Sequence, residues 1–271
     1  MANVTPRRAL SSAPALASTP AVEIRGLSHV YDGRDGAVPA LEDIELDVPA
    51  GHFVVIVGPS GCGKTSLLMM LAGLRTQSSG TIMCDGRPIP VPDPERVGVV
   101  FQEASLYPWL TAIENVEFPL VLKKAPRDER RARAEAMLSL VGLDGFGGRY
   151  PHELSGGMKQ RVSIARGLVQ DPPVLLMDEP FAALDEQTRM TMGHELLRIW
   201  SKTNKTVVFI THSLTEAVYL ADEVIVMSAR PGRILDRVPI DLPRPRTYQM
   251  MATDKFGQLR ERIWHQIRDV P

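Results

Sequence analysis

The chain has 271 residues, 44% of them hydrophobic, and a formal net charge of -1 from 31 lysines and arginines against 32 aspartates and glutamates. This length and composition are typical of a globular domain with a sizeable core. The balanced charge gives no basic field for nucleic acid, and no apolar run approaches the roughly 18 residues that span a bilayer, which argues against a membrane channel.

Residues 1–20 are rich in alanine, serine and proline and contain two arginines but no acidic residue. A transit peptide shares that composition, but this segment has neither a continuous apolar core nor a clear amphipathic helix. We therefore predict a disordered N-terminal extension ahead of the folded part of the chain.

The first folded segments are predicted to be strands. Residues 22–27 and 41–48 carry apolar side chains in the spacing of half-buried strands, and a loop over residues 31–36 is expected between them. Residues 53–57 are nearly all apolar, as in a central strand buried on both faces.

A Gly-rich turn with the pattern G-x-x-x-x-G-K-[ST] follows this central strand. It consists of Gly58, Pro59, Ser60, Gly61, Cys62, Gly63, Lys64 and Thr65, and Ser66 comes next. In such a turn the backbone N–H groups point at phosphate oxygens, the lysine reaches the terminal phosphates and the threonine hydroxyl ligates Mg²⁺. The following helix adds only about half a positive charge, so Lys64 and a metal are needed to hold a triphosphate. The alternative is a Gly-rich strand-to-helix turn with an incidental lysine.

The two cysteines, Cys62 and Cys84, form neither a disulfide framework nor a metal cluster. A disulfide at Cys62 would compete with ligand binding in the phosphate loop, which favours a reducing, cytoplasmic setting. We also predict that Cys62, near a helix N-terminus, is readily alkylated before nucleotide binds.

The spacing of apolar residues predicts a helix after the phosphate loop and the strands that follow it. One helical stripe is formed by four leucines, Leu67, Leu68, Leu71 and Leu74. Residues 81–84 predict a strand entering a hairpin turn, and a Pro-rich connector at 88–94 leads to a buried strand at 97–101 that ends at Gln102.

The region from about 103 to 151 changes character and predicts an inserted helical subdomain. Pro108, Pro119 and Pro126 are expected to break it, and a charged amphipathic helix begins at Arg127. For the aromatic stretch at 107–110, the plainer expectation is ordinary core packing of Trp109.

The second half alternates helices and strands, which predicts a mainly parallel sheet. Leu154-Ser155-Gly156-Gly157 opens a helix, and a strand at 174–177 ends in Asp178-Glu179-Pro180. A further strand at 207–210 leads to His212, a turn at 230–233 begins a final hairpin, and a mixed-charge helix covers about 256–267.

Polar groups therefore follow four predicted strands: the phosphate loop, Gln102, Asp178-Glu179 and His212. Parallel strands bring such tips to one edge of the sheet. Asp178 can hold Mg²⁺, Glu179 can accept a proton from the attacking water, Gln102 can position water or reach the metal, and His212 can donate to the γ-phosphate. Taken one at a time, each has a plainer reading as a surface residue or helix cap.

This ordered set resembles the nucleotide-binding subunit of an ATP-binding cassette (ABC) transporter over residues 21 to about 240. The matching segments are the phosphate loop, Gln102, the signature Leu154-Ser155-Gly156-Gly157-Met158-Lys159-Gln160, residues 174–179, Ala183-Leu184-Asp185 and His212. The resemblance implies an α/β fold: a P-loop NTPase core with a mainly parallel sheet flanked by helices, an antiparallel β subdomain and an inserted α-helical subdomain.

The resemblance also implies a shared site that binds ATP and Mg²⁺. In such proteins two copies enclose two ATP molecules, with Ser155, Gly156 and Gly157 of one copy facing the phosphate loop of the other and Asp185 beside them. Metal ligation is expected from Thr65, Gln102 and Asp178. Tyr31 matches the aromatic residue that stacks on adenine; its plainer reading is a half-buried tyrosine at a strand end.

The stretches at 107–116 and 228–234 are similar to those of bacterial importers of nitrate, sulfonate, taurine and bicarbonate, a group that also includes importers of thiamine-precursor pyrimidines. This similarity implies a permease in the inner membrane, an extracytoplasmic substrate-binding protein, no nucleic-acid partner, and a peripheral position on the cytoplasmic face. The ATPase does not touch the cargo, so the transported solute cannot be inferred from these residues.

Two other classes remain open: a cassette protein that works on ribosomes or DNA, and a regulatory nucleotide-binding module without turnover. One phosphate loop and the absence of sustained heptads argue against the first, and Glu179 in the base position argues against the second. We expect an ABC ATPase domain at 21–240, with the helical subdomain inserted at about 103–170, and a C-terminal helical tail at 241–271.

Overall fold

The computed structural model describes residues 20–33 and 36–268. Residues 1–19 of the predicted disordered extension at 1–20, and residues 34–35 of the predicted first loop, lie outside the described residues. The strands are β1 (Val22–Gly33), β2 (Gly36–Val48), β3 (Phe53–Val57), β4 (Ser79–Cys84), β5 (Arg87–Pro88), β6 (Val97–Val100), β7 (Val174–Asp178), β8 (Thr206–Ile210), β9 (Glu223–Met227) and β10 (Ile234–Pro239). The helices are α1 (Lys64–Leu71), α2 (Ala112–Leu122), α3 (Arg127–Leu140), α4 (Gly156–Leu168), α5 (Glu186–Thr203), α6 (Leu214–Leu220) and α7 (Asp254–Arg268).

The larger sheet has the strand order β10-β9-β3-β8-β7-β6, and all of its strands are parallel except β10. Every residue of β3, β7 and β8 is buried, as expected for strands covered on both faces. The predicted mainly parallel α/β sheet is therefore confirmed.

A second, antiparallel sheet has the order β2-β1-β4-β5. The predicted loop at 31–36 is wrong, because Tyr31 pairs with Val38 and Gly33 pairs with Gly36 within the β1–β2 hairpin. Asp32, Gly33 and Gly36 lie at the end of a long ribbon, where pairing with the neighbouring strand satisfies the backbone.

The two faces of β3 contact different cores. Phe53, Val55 and Val57 belong to a cluster with the helices α2 to α7, whereas Val54 and Ile56 belong to one with α1 and the antiparallel sheet. Alternation of side chains along a strand produces this division. The two cores therefore cover both faces of the main sheet, so a site is expected at the ends of its strands.

Two helix predictions need correction. Leu74 is not part of the predicted stripe, because α1 ends at Leu71 and Leu74 is 52% exposed. The N–H of Leu74 bonds back to the carbonyl of Met69 at 2.9 Å, which closes the helix end. Pro119 does not break the chain but lies inside α2.

The helix around Pro119 is stabilised from its first turn onward. A reciprocal capping box joins Thr111 and Glu114, and Val116 and Leu120 are buried on the core side. This cap and the packing outweigh the lost N–H donor of the proline. Within the described part of the chain, no helix combines the length and apolar character needed to cross a membrane.

Candidate nucleotide site

The parallel strands bring four sequence-predicted segments to one edge of the main sheet. The phosphate loop follows β3, and His212 follows its neighbour β8. Asp178 ends the next strand, β7, with Glu179 directly after it, and Gln102 follows the edge strand β6. The segments thus lie in the spatial order required for side chains on adjacent strands to meet. Gln102 is exposed at the outer end of this row.

The phosphate loop wraps around the buried amine of Lys64, which is only 6% exposed. The Nζ atom donates to the carbonyl oxygens of Gly58 at 2.8 Å and Pro59 at 2.9 Å. Gly63 caps α1 at φ 100, and a Cβ at this position would lie 2.9 Å from the Ala40 carbonyl oxygen. Only glycine fits that backbone and that contact, which explains the second fixed glycine of the motif.

Cys62 is not the exposed thiol that its position suggests. Its side chain is 1% exposed, and its Sγ atom lies 3.7 Å from Lys64 Nζ. The predicted ready alkylation of Cys62 is wrong for this conformation, because the loop folds over the thiol and an alkylating reagent needs an accessible sulfur.

A hydroxyl and a carboxylate meet directly behind the phosphate loop. Thr65 Oγ1 donates to Asp178 Oδ1 at 3.2 Å, and Asp178 is 7% exposed. Burial raises the pKa of Asp178; the Thr65 hydrogen bond opposes this shift, Glu179 adds to it and Lys64 opposes it. Hard oxygen donors held this close fit the preferences of Mg²⁺, so the residues present are compatible with the metal.

The next carboxylate along the chain contacts the next strand. His212 Nδ1 lies 2.9 Å from Glu179 Oε2, and the two side chains are 56% and 24% exposed. Glu179 adopts φ 44, a conformation that costs energy for a non-glycine residue, while its N–H bonds to the Ile210 carbonyl at 2.9 Å. This backbone conformation turns the Glu179 side chain out of the strand and towards His212.

A buried group behind His212 was not predicted. Thr211 Oγ1 donates to Glu216 Oε2 at 2.5 Å, and Glu216 Oε1 lies 3.5 Å from Arg189 Nε. Burial raises the pKa of Glu216, and the hydrogen bond from Thr211 and the electrostatic influence of Arg189 and His212 oppose that shift. The sequence carried a signal for this residue, since Ser213 and Glu216 have the spacing of a helix capping motif.

Tyr31 lies beside the first turn of α1. Its hydroxyl is 2.7 Å from Ser66 Oγ, and the guanidinium of Arg75 lies 4.8 Å from the ring centroid. The edge-on ring of His29 approaches to 4.6 Å. The antiparallel sheet therefore presents an aromatic ring next to the phosphate loop, as the stacking prediction requires, and one neighbour of that ring is a cation.

The signature segment forms a second group together with Asp185. Ser155 caps α4 by accepting the N–H of Met158 at 3.3 Å; Gly156 is exposed and Gly157 is half-buried in the first turn of this helix. Asp185 caps α5 through Thr188, whose hydroxyl and N–H bonds lower the Asp185 pKa. A cleft of about 350 Å³ is lined by residues of both segments, Ser155, Gly157 and Thr188 among them.

Comparison with known proteins agrees with this geometry. A family model described as ABC transporter matches residues 41–182. The chain is 47% identical to an uncharacterized ABC transporter ATP-binding protein of Methanocaldococcus jannaschii, over 92% of this chain and 91% of that one. It is 49% identical to a taurine import ATP-binding protein of Rhizobium johnstonii (83% and 88% covered) and 46% identical to a nitrate import ATP-binding protein of Synechocystis (89% and 93% covered).

Solved structures resemble the chain over most of its length. One is a dimeric, post-hydrolysis state of an ATP-binding cassette bound to ADP and Pi; it has a TM-score of 0.72 and 32% identity, and the match covers 82% of this chain and 100% of that chain. A second, a protein from Clostridium perfringens described as part of an ABC transporter complex, has a TM-score of 0.75 and 28% identity, and the match covers 89% of this chain and 94% of that chain.

Proposed function

Because this chain belongs to the ABC transporter family as an ATP-binding subunit of the importer type, we propose that it hydrolyses ATP between two copies of itself to drive a membrane permease. One observation supports ATP hydrolysis above all: the Glu179–His212 contact lies next to the Thr65–Asp178 contact at one edge of the sheet. A base and a metal-binding pair placed side by side are what phosphoryl transfer to water requires.

We assign the phosphate-binding role to the loop at 58–66. Its N–H groups would face the phosphates, and Lys64 Nζ would exchange its carbonyl partners for the terminal phosphates. Thr65 and Asp178 would hold Mg²⁺, with Gln102 reaching it from the edge strand. The metal would neutralise charge that develops on the phosphate oxygens.

Glu179 is proposed as the general base. Its Oε2 atom is engaged by His212, which leaves Oε1 to accept a proton from the attacking water. The water oxygen then bonds to the γ-phosphorus, and the bond to the oxygen of the leaving ADP breaks. Through Nδ1 His212 would orient Glu179, and its other ring nitrogen, Nε2, would approach the γ-phosphate and stabilise the phosphate charge.

The second copy would supply Ser155, Gly156 and Gly157. The start of α4, where Ser155 and Gly156 are exposed, presents a hydroxyl, backbone N–H groups and the positive helix end, which suit an anion. Asp185, at the start of α5 beside this turn, would reach the same interface. The dimeric cassette with ADP and Pi supports this arrangement. ATP would join the two copies, and hydrolysis would release them.

The inserted helices at about 103–170 would contact the permease. Trp109 is 70% exposed, with its ring 5.6 Å from that of Tyr107, which in turn packs 4.5 Å from Phe118. An exposed indole held on a packed aromatic base suits burial against a partner. The plainer expectation of core packing does not fit this exposure of Trp109.

The relatives named for taurine and nitrate import support a small anionic or zwitterionic cargo of that kind. The cargo would be delivered by an extracytoplasmic binding protein, and the chain would sit on the cytoplasmic face of the inner membrane. We retain an ATPase domain at 21–240 and a C-terminal tail at 241–271 as the proposed division.

Affinity purification of the tagged chain from detergent-solubilised membranes tests the transport assignment. We expect an integral membrane protein to co-purify, and Trp109→Ala to reduce its yield while Trp264→Ala, an exposed tryptophan on α7, serves as the matched control. Recovery of ribosomes or DNA with no membrane protein would instead support a non-transport cassette.

A further inference from the structure

The loop after β9 packs against the outer side of the phosphate loop. We call residues 228–232 the strap. Arg230 donates from Nε and Nη2 to the carbonyl oxygen of Gly61, at 3.3 and 3.2 Å. A Cβ built on Gly232 would overlap the carbonyl oxygen of Cys62. The strap therefore contacts two consecutive peptide groups of the phosphate loop, and one of these contacts admits only glycine.

The strap is itself held on two sides. Gly232 donates its N–H to Ala40 at 2.9 Å and accepts the N–H of Glu42 at 3.0 Å, so it is bonded to β2 of the antiparallel sheet. Within the strap, Ser228 Oγ lies 2.9 Å from the Pro231 carbonyl oxygen and accepts the N–H of Arg233 at 2.9 Å. These bonds make the strap a fixed support and not a free loop tip.

We propose that the strap positions the phosphate loop for nucleotide, with Arg230 as a positioning residue. A peptide group is planar, so the hydrogen bonds on the Gly61 carbonyl fix the direction of the Cys62 N–H on the opposite side of the same peptide. In this structure that N–H donates to the Pro59 carbonyl at 3.4 Å, a long hydrogen bond that a phosphate oxygen would replace. N–H groups of this loop are the proposed phosphate donors. Holding them in place before binding reduces the ordering cost of binding.

The strap also links two halves of the site. Its contacts with β2 tie the phosphate loop to the antiparallel sheet that carries Tyr31 on β1. The adenine and the Tyr31 ring beside it would thus be held at a fixed distance from the N–H groups proposed as phosphate donors. This role concerns nucleotide affinity and not the chemical step, because Glu179 and His212 lie on other strands.

The inference rests on the proposed nucleotide role of the phosphate loop. Binding of a non-hydrolysable ATP analogue with Mg²⁺ is measured by calorimetry on the full chain, and kcat and KM for ATP are measured alongside. Arg230→Ala should raise Kd and KM about fivefold, the equivalent of about 1 kcal/mol for one net hydrogen bond, with kcat within about twofold of wild type. Arg230→Lys, which keeps one donor, should recover part of the affinity.

Arg233→Ala is the matched control. It removes the same charge three residues along the chain, but its side chain pairs with Glu42 at 2.6 Å and not with the phosphate loop. We expect wild-type Kd for this variant. Equal weakening by Arg233→Ala and Arg230→Ala would show a general charge effect and overturn the positioning role.

Gly232→Ala and Lys64→Ala complete the set. Gly232→Ala should raise Kd at least as much as Arg230→Ala. If Gly232→Ala does not fold, the nucleotide affinity of Arg230→Ala alone tests the positioning role, because Arg230 is exposed. Wild-type affinity in Arg230→Ala together with weak binding in Lys64→Ala would refute the strap alone. Wild-type affinity in Lys64→Ala would remove the proposed phosphate-loop function, and with it the basis for the strap.

Discussion

His212 Nδ1 and Glu179 Oε2 lie 2.9 Å apart, at the ends of two adjacent parallel strands. The contact couples the residue proposed as general base to the residue proposed as γ-phosphate donor. Neither residue needs a long loop to reach the other, because the strand order places β7 beside β8. The site is therefore built into the register of the sheet.

Replacing His212 by alanine should lower kcat for ATP hydrolysis by about 100-fold and leave ATP affinity within a few-fold of wild type. The base would lose its orienting partner, but the phosphate loop would remain intact. Steady-state phosphate release checks this, with His194→Ala as control because His194 bonds to Tyr219 instead. A kcat near that of the control would contradict the assigned role.

Asp178→Asn should inactivate the protein and stabilise it at neutral pH. The pKa of Asp178 is raised on folding by burial, so its ionisation disfavours the folded state. That penalty is absent below the unfolded pKa of about 4 and grows as the pH rises through the folded value. Thermal unfolding of the metal-free protein should show a higher Tm for Asp178→Asn at pH 7 and no difference near pH 3. A lower Tm at pH 7 would contradict this reasoning.

Tyr31→Ala should weaken nucleotide binding by roughly fivefold to a hundredfold, because stacking on a base contributes about 1–3 kcal/mol. Tyr31→Phe is the matched variant: it keeps the ring and loses only the hydroxyl contact with Ser66 at 2.7 Å. We expect near-native ATP affinity for Tyr31→Phe. If both variants bind ATP like wild type, the adenine does not stack on this ring.

Two inactive variants should restore activity when mixed. Lys64→Ala disables the phosphate loop, and Ser155→Arg blocks the signature turn of α4. In a mixed dimer, one of the two shared sites carries both changes and the other carries neither. Phosphate release from the mixture should therefore exceed the sum of the separate proteins. No gain on mixing, with heterodimers verified by pull-down, would indicate that each site lies within a single chain.

Much of the site was predictable because its motifs are local. The phosphate loop needs eight consecutive residues, and Asp178, Glu179 and His212 each lie within two residues of the end of an apolar run. Once the strands are taken as parallel, their ends must lie at one edge. The main sheet and the helix that opens at Leu154-Ser155-Gly156-Gly157 were predicted for the same reason, because each depends on a short-range pattern.

The parts that sequence reasoning missed depend on tertiary packing. Pro119 remains helical because its neighbours are buried and the helix is capped, although the residue alone argues for a break. Leu74 has helical spacing but lies past a closed helix end. The burial of Cys62 depends on how the loop folds over the thiol. The Thr211–Glu216–Arg189 group joins three segments whose proximity no spacing reveals.

The most direct test of the proposed function is the Glu179→Gln variant with ATP and Mg²⁺. Removing the base should reduce hydrolysis by at least about 100-fold, while the phosphate loop and the signature turn stay intact. Light scattering should then show a dimer that forms with ATP, persists, and is absent without nucleotide or in Lys64→Ala. A Glu179→Gln chain that binds ATP but stays monomeric would contradict the shared site, and one that still hydrolyses ATP at the wild-type rate would contradict the assigned base.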